Sequence, residues 1–164
     1  GSEMCIRDRW EFLASIDLIE TIKAPKVDPA TPLPWAVEDP RVVKFTSHTD
    51  LGWLRILDVE KAMAVRGWDH QGSVTFHVVD PMGYAEGTWR IDVDAPGAPA
   101  TVTKIDDSTD AATVDVAALG SLYFGTGRGF SLAAAHRVTG TDEQIAAVDR
   151  MFSTVDVAHN ISEF

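Results

Sequence analysis

The chain is short of cysteine, of positive charge and of long apolar runs, and each shortage removes a class of function. One cysteine, Cys5, among 164 residues allows neither an internal disulfide nor a thiolate zinc site. Fourteen Lys and Arg stand against 25 Asp and Glu, a net charge of -11. A phosphate backbone is repelled by such a field, so nucleic acid is excluded as a partner, whereas cationic small molecules and basic peptides are drawn in. No uninterrupted apolar run approaches the roughly 20 residues that cross a bilayer. The start carries no secretory pattern, so no membrane partner is expected and the cytoplasm is the default location. What is present is ordinary for a folded chain, with 45% hydrophobic and 24% charged residues. The length suits one domain, or one domain with part of another.

The opening, GSEMCIRDR, resembles the in-frame translation of an adapter used in sequencing libraries, which makes residues 1–9 the expected non-native part of the chain. Removing Glu3, Arg7, Asp8 and Arg9 takes two charges of each sign, leaving the balance at -11 and the cysteine count at zero.

From Trp10 the pattern reads as the last turns of a helix (WEFLAS), then a strand over 18–23. Five of the eight prolines follow between Pro25 and Pro40. That density excludes a regular helix or central strand and marks a connector between domains. Trp35 and Val37 suggest that the connector is packed. Strands are expected over 42–46 and 51–57. Asp58 then caps a helix ending at Gly67. VTFHVV (74–79), GTWRIDV (87–93), ATVTKI (100–105) and 112–114 read as strands. In the second of these, Trp89, Ile91 and Val93 alternate with Arg90 and Asp92, leaving one wet face. Asp115 caps a helix over 116–124 that Gly125 ends, a second helix covers 130–137, and Thr141 with Gln144 forms a capping box for a third. Antiparallel strands followed by helices indicate an α+β domain with the helices laid over one sheet face.

Several constellations carry no chemistry. The glycines at 125, 127 and 129 fall between two helices, not between a strand and a helix, so they do not form a dinucleotide loop. Asp106, Asp107 and Asp110 lack the calcium register. His48, His70, His77, His136 and His159 show no metal-binding spacing, and no nucleophile elbow accompanies the serines. Trp53, Trp68 and Trp89 are expected in the core or lining a pocket.

The runs LPWAVEDPR (33–41), LGWLRILDVEKAMAVRGW (51–68) and VDVAALGSLYFGTG (114–127), with a short tail ending in Phe164, resemble the Eis (enhanced intracellular survival) acetyltransferase family in order and spacing. The resemblance covers nearly all of Trp10 to Phe164. It implies that residues 10–41 are the remnant of a central GNAT-like domain with its Pro-rich connector. It also implies that 42–164 are a sterol-carrier-protein-like C-terminal domain, an antiparallel-rich sheet covered by helices. The chain is then the C-terminal fragment of an acetyl-CoA-dependent N-acetyltransferase acting on aminoglycosides or other polycationic amines as a hexamer. The [QR]-x-x-G-x-[GA] loop that holds the acetyl-CoA pyrophosphate has no counterpart here, so the fragment is expected neither to bind acetyl-CoA nor to act alone. Phe164 matches the position whose terminal carboxylate enters the active site, a catalytic role, and Glu163 matches a penultimate acid that holds cationic substrate. No metal is implied.

A free α-carboxylate has a pKa of roughly 3.3–3.7, which makes it a poor direct base for an ammonium group. Orienting the amine, or acting through a water, suits it better. The alternative function is a lipid- or sterol-carrying module, which requires an apolar tunnel through the interior. Leu54, Phe76, Trp89, Leu119 and Phe130 are the large side chains available to fill that space.

Overall fold

The computed structural model describes residues 3–50, 52–106, 110–156 and 158–160, with the backbone alone for 3–7. Contacts divide the chain into two compact units, one from the residues before Gly52 together with His159 and Asn160, the other from Gly52–Ala158.

The first unit holds helix α1 (Glu3–Ala14), a single-turn helix α2 (Leu33–Ala36) that starts at Pro32, and a 3-10 turn over Pro40–Val42. The proline-rich stretch behaves as its composition requires, with Asp39 accepting from the Arg41 N–H to cap the 3-10 turn. None of the described side chains of this unit is fully buried. Trp35, expected to pack the connector, is 89% exposed. The strand expected over 18–23 does not form, and Leu18 adopts a left-handed backbone. Of the strands expected over 42–46 and 51–57 none forms in the described residues, Val42 instead ending the 3-10 turn. β composition supplies only the tendency; a strand also needs a neighbour to take its N–H and C=O groups.

From Asp58 onward the expected helices and strands of the second unit form in order. Helix α3 (Val59–Val65) starts at Asp58, whose side chain accepts from the Lys61 N–H. Strands β1 (Gly72–Val79), β2 (Gly87–Val93), β3 (Thr101–Ile105) and β4 (Ala112–Asp115) follow, then helices α4 (Val116–Phe124) and α5 (Gly129–Ala134), strand β5 (Val138–Thr139) and helix α6 (Asp142–Phe152). Gly125 closes α4 in the left-handed conformation at φ 73°, and the Thr141–Gln144 capping box opens α6. The second alanine-rich helix ends at Ala134, short of the expected 137. His136 turns the chain at φ 57° so that Val138 and Thr139 can pair with β4.

The sheet has the order β3-β2-β1-β4-β5, antiparallel throughout except for the parallel pair β1 and β4. Register aligns Val74 with Ile91 and Phe76 with Trp89 and Ala112 on one face. Helices α3, α4 and α6 pack against strands of the sheet. Ser73, Thr75, His77, Arg90, Asp92, Thr101 and Thr103 occupy the other face, which is partly or fully open to solvent. Trp68, Phe76, Phe152, Met63, Ile91, Leu119 and Leu122 are fully buried between sheet and helices. Phe152 meets both Trp68 and Phe76 edge-on, at 5.2 and 5.6 Å between ring centres. Of the residues expected to fill the interior, Phe76, Leu119 and Trp89 do so, Leu54 packs at its margin, and Phe130 is 56% exposed.

Candidate functional site

The two residues singled out by the sequence, Glu163 and Phe164, lie outside the described residues. The structure does describe how the segment leading to them leaves the domain, and that departure is closely held.

Helix α3 ends in the run Arg66-Gly67-Trp68-Asp69-His70. Trp68 is fully buried and donates its indole N–H to the Met63 carbonyl at 3.0 Å. That anchor fixes the residues on either side. Arg66 is 6% exposed and lies over Trp68, its Cζ 4.4 Å from the ring centre. Its guanidinium donates from Nε to the Tyr123 carbonyl at 2.9 Å, from Nη1 to Gly67 at 3.1 Å and from Nη2 to Phe152 at 2.8 Å. The Tyr123 and Phe152 carbonyls lie at the C-terminal ends of α4 and α6, where four C=O groups per helix lack intrahelical partners and the helix dipole favours a cation. Burial pushes the guanidinium below its ordinary pKa, and the charge of Asp69 offsets part of that.

Beyond Phe152 the chain has no further regular element among the described residues, yet its next residues are each held. Ser153 Oγ lies 3.0 Å from His70 Nε2, and Asp69 Oδ2 accepts from the Val155 N–H at 2.7 Å. Thr154 donates to the Asp156 carbonyl at 2.7 Å and sits in the notch left by Gly125, where a Cβ would stand 2.4 Å from its Oγ1. In the first unit, His159 Nδ1 lies 3.8 Å from Asp28 Oδ1.

A second polar centre organises the β1–β2 connection. Asp80, 3% exposed, accepts from the Ala85 N–H at 2.9 Å and the Met82 N–H at 3.0 Å, and it is paired with Arg55. The Ala85 bond is the largest cause holding its carboxyl below the ordinary range. The Glu86 carboxylate accepts from the Asp80 N–H at 2.5 Å, and His77 Nδ1 lies 3.0 Å from Thr88 Oγ1. Asp80 and Glu86 thus satisfy N–H groups of the turn, and the His77–Thr88 contact lies across the paired strands.

The glycine-rich stretch connects α4 to α5, as its position between helices requires. A Cβ at Gly129 would stand 2.8 Å from the Asp149 backbone, so Gly129 lets α5 and α6 approach closely. Arg128 pairs with Asp149 beside it. No group of three His, Cys, Asp or Glu side chains able to hold a metal occurs among the described residues. One surface cleft of about 530 Å³ is lined by Gln71, Ser73, Asp92 and Arg150, and one of about 240 Å³ by Trp53, Leu54, Val116 and Ala117. Trp68 and Trp89 belong to the core, whereas Trp53 is 93% exposed beside the smaller cleft. No helix among the described residues is long and apolar enough to cross a membrane.

Residues 59–159 match the family model described as a sterol carrier protein domain. An uncharacterised N-acetyltransferase of Streptomyces avermitilis is 37% identical over 142 residues, covering 87% of this chain and 33% of the relative. The N-acetyltransferase Eis of Mycobacterium tuberculosis is 32% identical over 139 residues, covering 83% of this chain and 32% of the relative. The crystal structure of Eis1 from Mycobacterium abscessus superimposes with a TM-score of 0.79 at 31% identity, covering 94% of this chain and 39% of that one. The chain thus spans about a third of the length of the curated relatives it matches.

Proposed function

Since the chain belongs to the Eis N-acetyltransferase family through its sterol carrier protein domain, we propose that it forms the C-terminal part of an acetyl-CoA-dependent N-acetyltransferase for aminoglycosides or other polycationic amines. The observation that carries this reading is the superposition on Eis1 over 94% of the chain. The charge of -11 adds a field that attracts a polycation.

In this reading the Phe164 α-carboxylate enters an active site built by the upstream part of the full protein, and Glu163 holds the cationic substrate. Attack on a thioester needs the amine nitrogen unprotonated. The carboxylate orients the ammonium group and, through a bridging water, accepts its proton, leaving the neutral amine to attack. Enclosure strengthens that hold by raising the carboxylate pKa above its value in water. The location assigned to such an enzyme is the cytoplasm, and its assembly a hexamer.

Acetyl-CoA is assigned to the upstream part as well. The glycine-rich stretch offers its pyrophosphate no cradle. The notches at Gly125, Gly127 and Gly129 are filled by Thr154, by Ser121 with Leu132, and by Asp149, so no open cradle of N–H groups lies there. The lipid-carrier alternative calls for an apolar tunnel. The interior of the second unit is instead filled by Trp68, Phe76, Met63, Leu119, Leu122 and Phe152.

The test is acetylation of an aminoglycoside by the full-length protein, followed as CoA release, with and without Phe164. Loss of most turnover on deletion of Phe164 or addition of a C-terminal tag supports the carboxylate role. Undiminished turnover refutes it.

A further inference from the structure

The larger cleft, of about 530 Å³, is lined by Gln71, Ser73, Asp92, Asp94 and Arg150. Gly72 pairs with Val93, so Gln71 and Asp94 flank the same end of the β1–β2 pair. Arg150 reaches that end from α6. A Cβ at Gly72 would stand 3.3 Å from its Nη2 and 3.3 Å from Met151 Sδ, and Gly72 takes φ 139°. The guanidinium therefore lies against bare backbone, and the full burial of Met151 holds that turn of α6 in place.

The charges of this cleft are unusual for the second unit, which has eight arginines and lysines. Five of them pair with an aspartate. Arg66 is solvated by carbonyls, and Lys104 lies over the Trp89 ring. Arg150 is the eighth, and its side chain has no hydrogen-bond or ion-pair partner among the described residues. The side chains of Asp94 and Gln71 are equally unengaged there. Asp92, by contrast, is taken by Arg90, which donates from Nε and Nη2 at 2.9 Å each. Arg150 and Asp94 thus line one cleft with opposite charges and form no ion pair with each other.

A small anion is opposed there by Asp94 and by the field of a chain charged at -11, and a small cation by Arg150. A molecule carrying both charges meets neither obstacle. Its carboxylate matches the planar fork of Arg150, its ammonium group matches Asp94, and its neutrality makes it indifferent to the overall field. The volume lies in the range of small-molecule sites. Gln71 and Ser73 add hydrogen-bonding groups suited to a polar substituent.

We propose that this cleft binds a small zwitterion, a free polar amino acid or a dipeptide, whose carboxylate pairs with Arg150 and whose ammonium group pairs with Asp94. The site does not depend on the role assigned to Phe164.

The test is calorimetric titration of the full-length protein with L-glutamine, L-serine and glycylglycine, compared with acetate and ethylamine at equal ionic strength. Saturable binding of at least one zwitterion is expected, about tenfold or more tighter than that of acetate or ethylamine. Preference for an amino acid marks closely spaced charges, and preference for glycylglycine marks wider ones; either supports the site. Arg150→Gln and Asp94→Asn should each weaken the binding by about tenfold or more. Both side chains belong to exposed residues, so Tm without ligand should move by less than about 2 °C. Arg150→Lys keeps the charge and loses the fork, and should bind with intermediate affinity. If Arg150→Gln proves unstable, Arg150→Lys decides in its place: weaker binding at unchanged Tm supports the site, and unaltered binding overturns it. No saturable binding of any of the three zwitterions also overturns the proposal. So does equal binding of acetate or ethylamine, or binding that survives both Arg150→Gln and Asp94→Asn.

Discussion

Arg66 donates through Nη2 to the Phe152 carbonyl at 2.8 Å, while its Cζ lies 5.4 Å from the centre of the Phe152 ring. One residue thus receives the guanidinium through both its backbone and its side chain, at the point where the last helix gives way to the tail. Among the described residues no carboxylate is hydrogen-bonded to this cation; carbonyls and aromatic faces solvate it. This is the environment in which arginine is tolerated in an interior and lysine is not, because a planar fork can serve three acceptors at once.

Arg66→Ala is accordingly expected to destabilise the protein by about 3 kcal/mol, since it strands buried carbonyls and opens a hole beside Trp68. Arg66→Lys should recover only part of that. Urea denaturation at neutral pH, followed by Trp fluorescence, measures both.

Two glycines should respond in opposite ways to the same added methyl group. Gly129→Ala places a Cβ 2.8 Å from the Asp149 backbone, which cannot yield without parting α5 from α6, and a cost of about 1–3 kcal/mol is expected. Gly67→Ala meets nothing within 4 Å and should change stability by less than about 0.5 kcal/mol. Equal losses at the two positions would show that the α5–α6 approach is not what selects glycine at 129.

Acid should weaken the protein through two carboxylates. Asp149, hydrogen-bonded to Arg128, and Asp80, hydrogen-bonded to the Ala85 N–H, are both held below the ordinary value of 3.8. A depressed folded pKa contributes stability that is fully present above the unfolded value, and that is lost as pH falls through the folded one. The Tm difference between wild type and Asp149→Asn, or Asp80→Asn, should therefore be widest near neutrality and narrow below about pH 4. Thermal melts from pH 7 to 2.5 give the comparison. A difference that stays constant across that range would contradict it.

Glu163→Gln in the full-length enzyme should raise KM for a polycationic amine by several-fold to about tenfold while altering kcat less. A rim charge near a cation mainly adds binding common to ground and transition states. The increase should shrink at high salt. A KM independent of residue 163 and of ionic strength would remove that residue from substrate binding.

The elements of the second unit were legible because their signals are local. Asp58, Asp115 and Thr141 each cap the helix that follows with their own side chains, and Gly125 ends α4 by adopting a conformation open to it without strain. Alternation along Gly87–Val93 likewise announced a strand with one wet face. The strands expected at 18–23, 42–46 and 51–57 misled for the complementary reason: pairing is a property of two segments, and composition describes only one. The two-residue strand β5 carried no signal of its own and exists because His136 turns the chain back onto β4.

The candidate site divides along the same line. The sequence by itself determined the α+β class, the caps, the family resemblance and the interest of Glu163 and Phe164, since each depends on residue identity or near-neighbour spacing. It held no trace of the bonds joining Arg66, Asp69 and His70 to Phe152, Ser153 and Val155, whose partners stand 83 to 86 residues apart. Only the folding of α3 and α6 onto one sheet decides that those two runs meet. Hydrogen bonds reach about 3 Å in space and have no memory of distance along the chain.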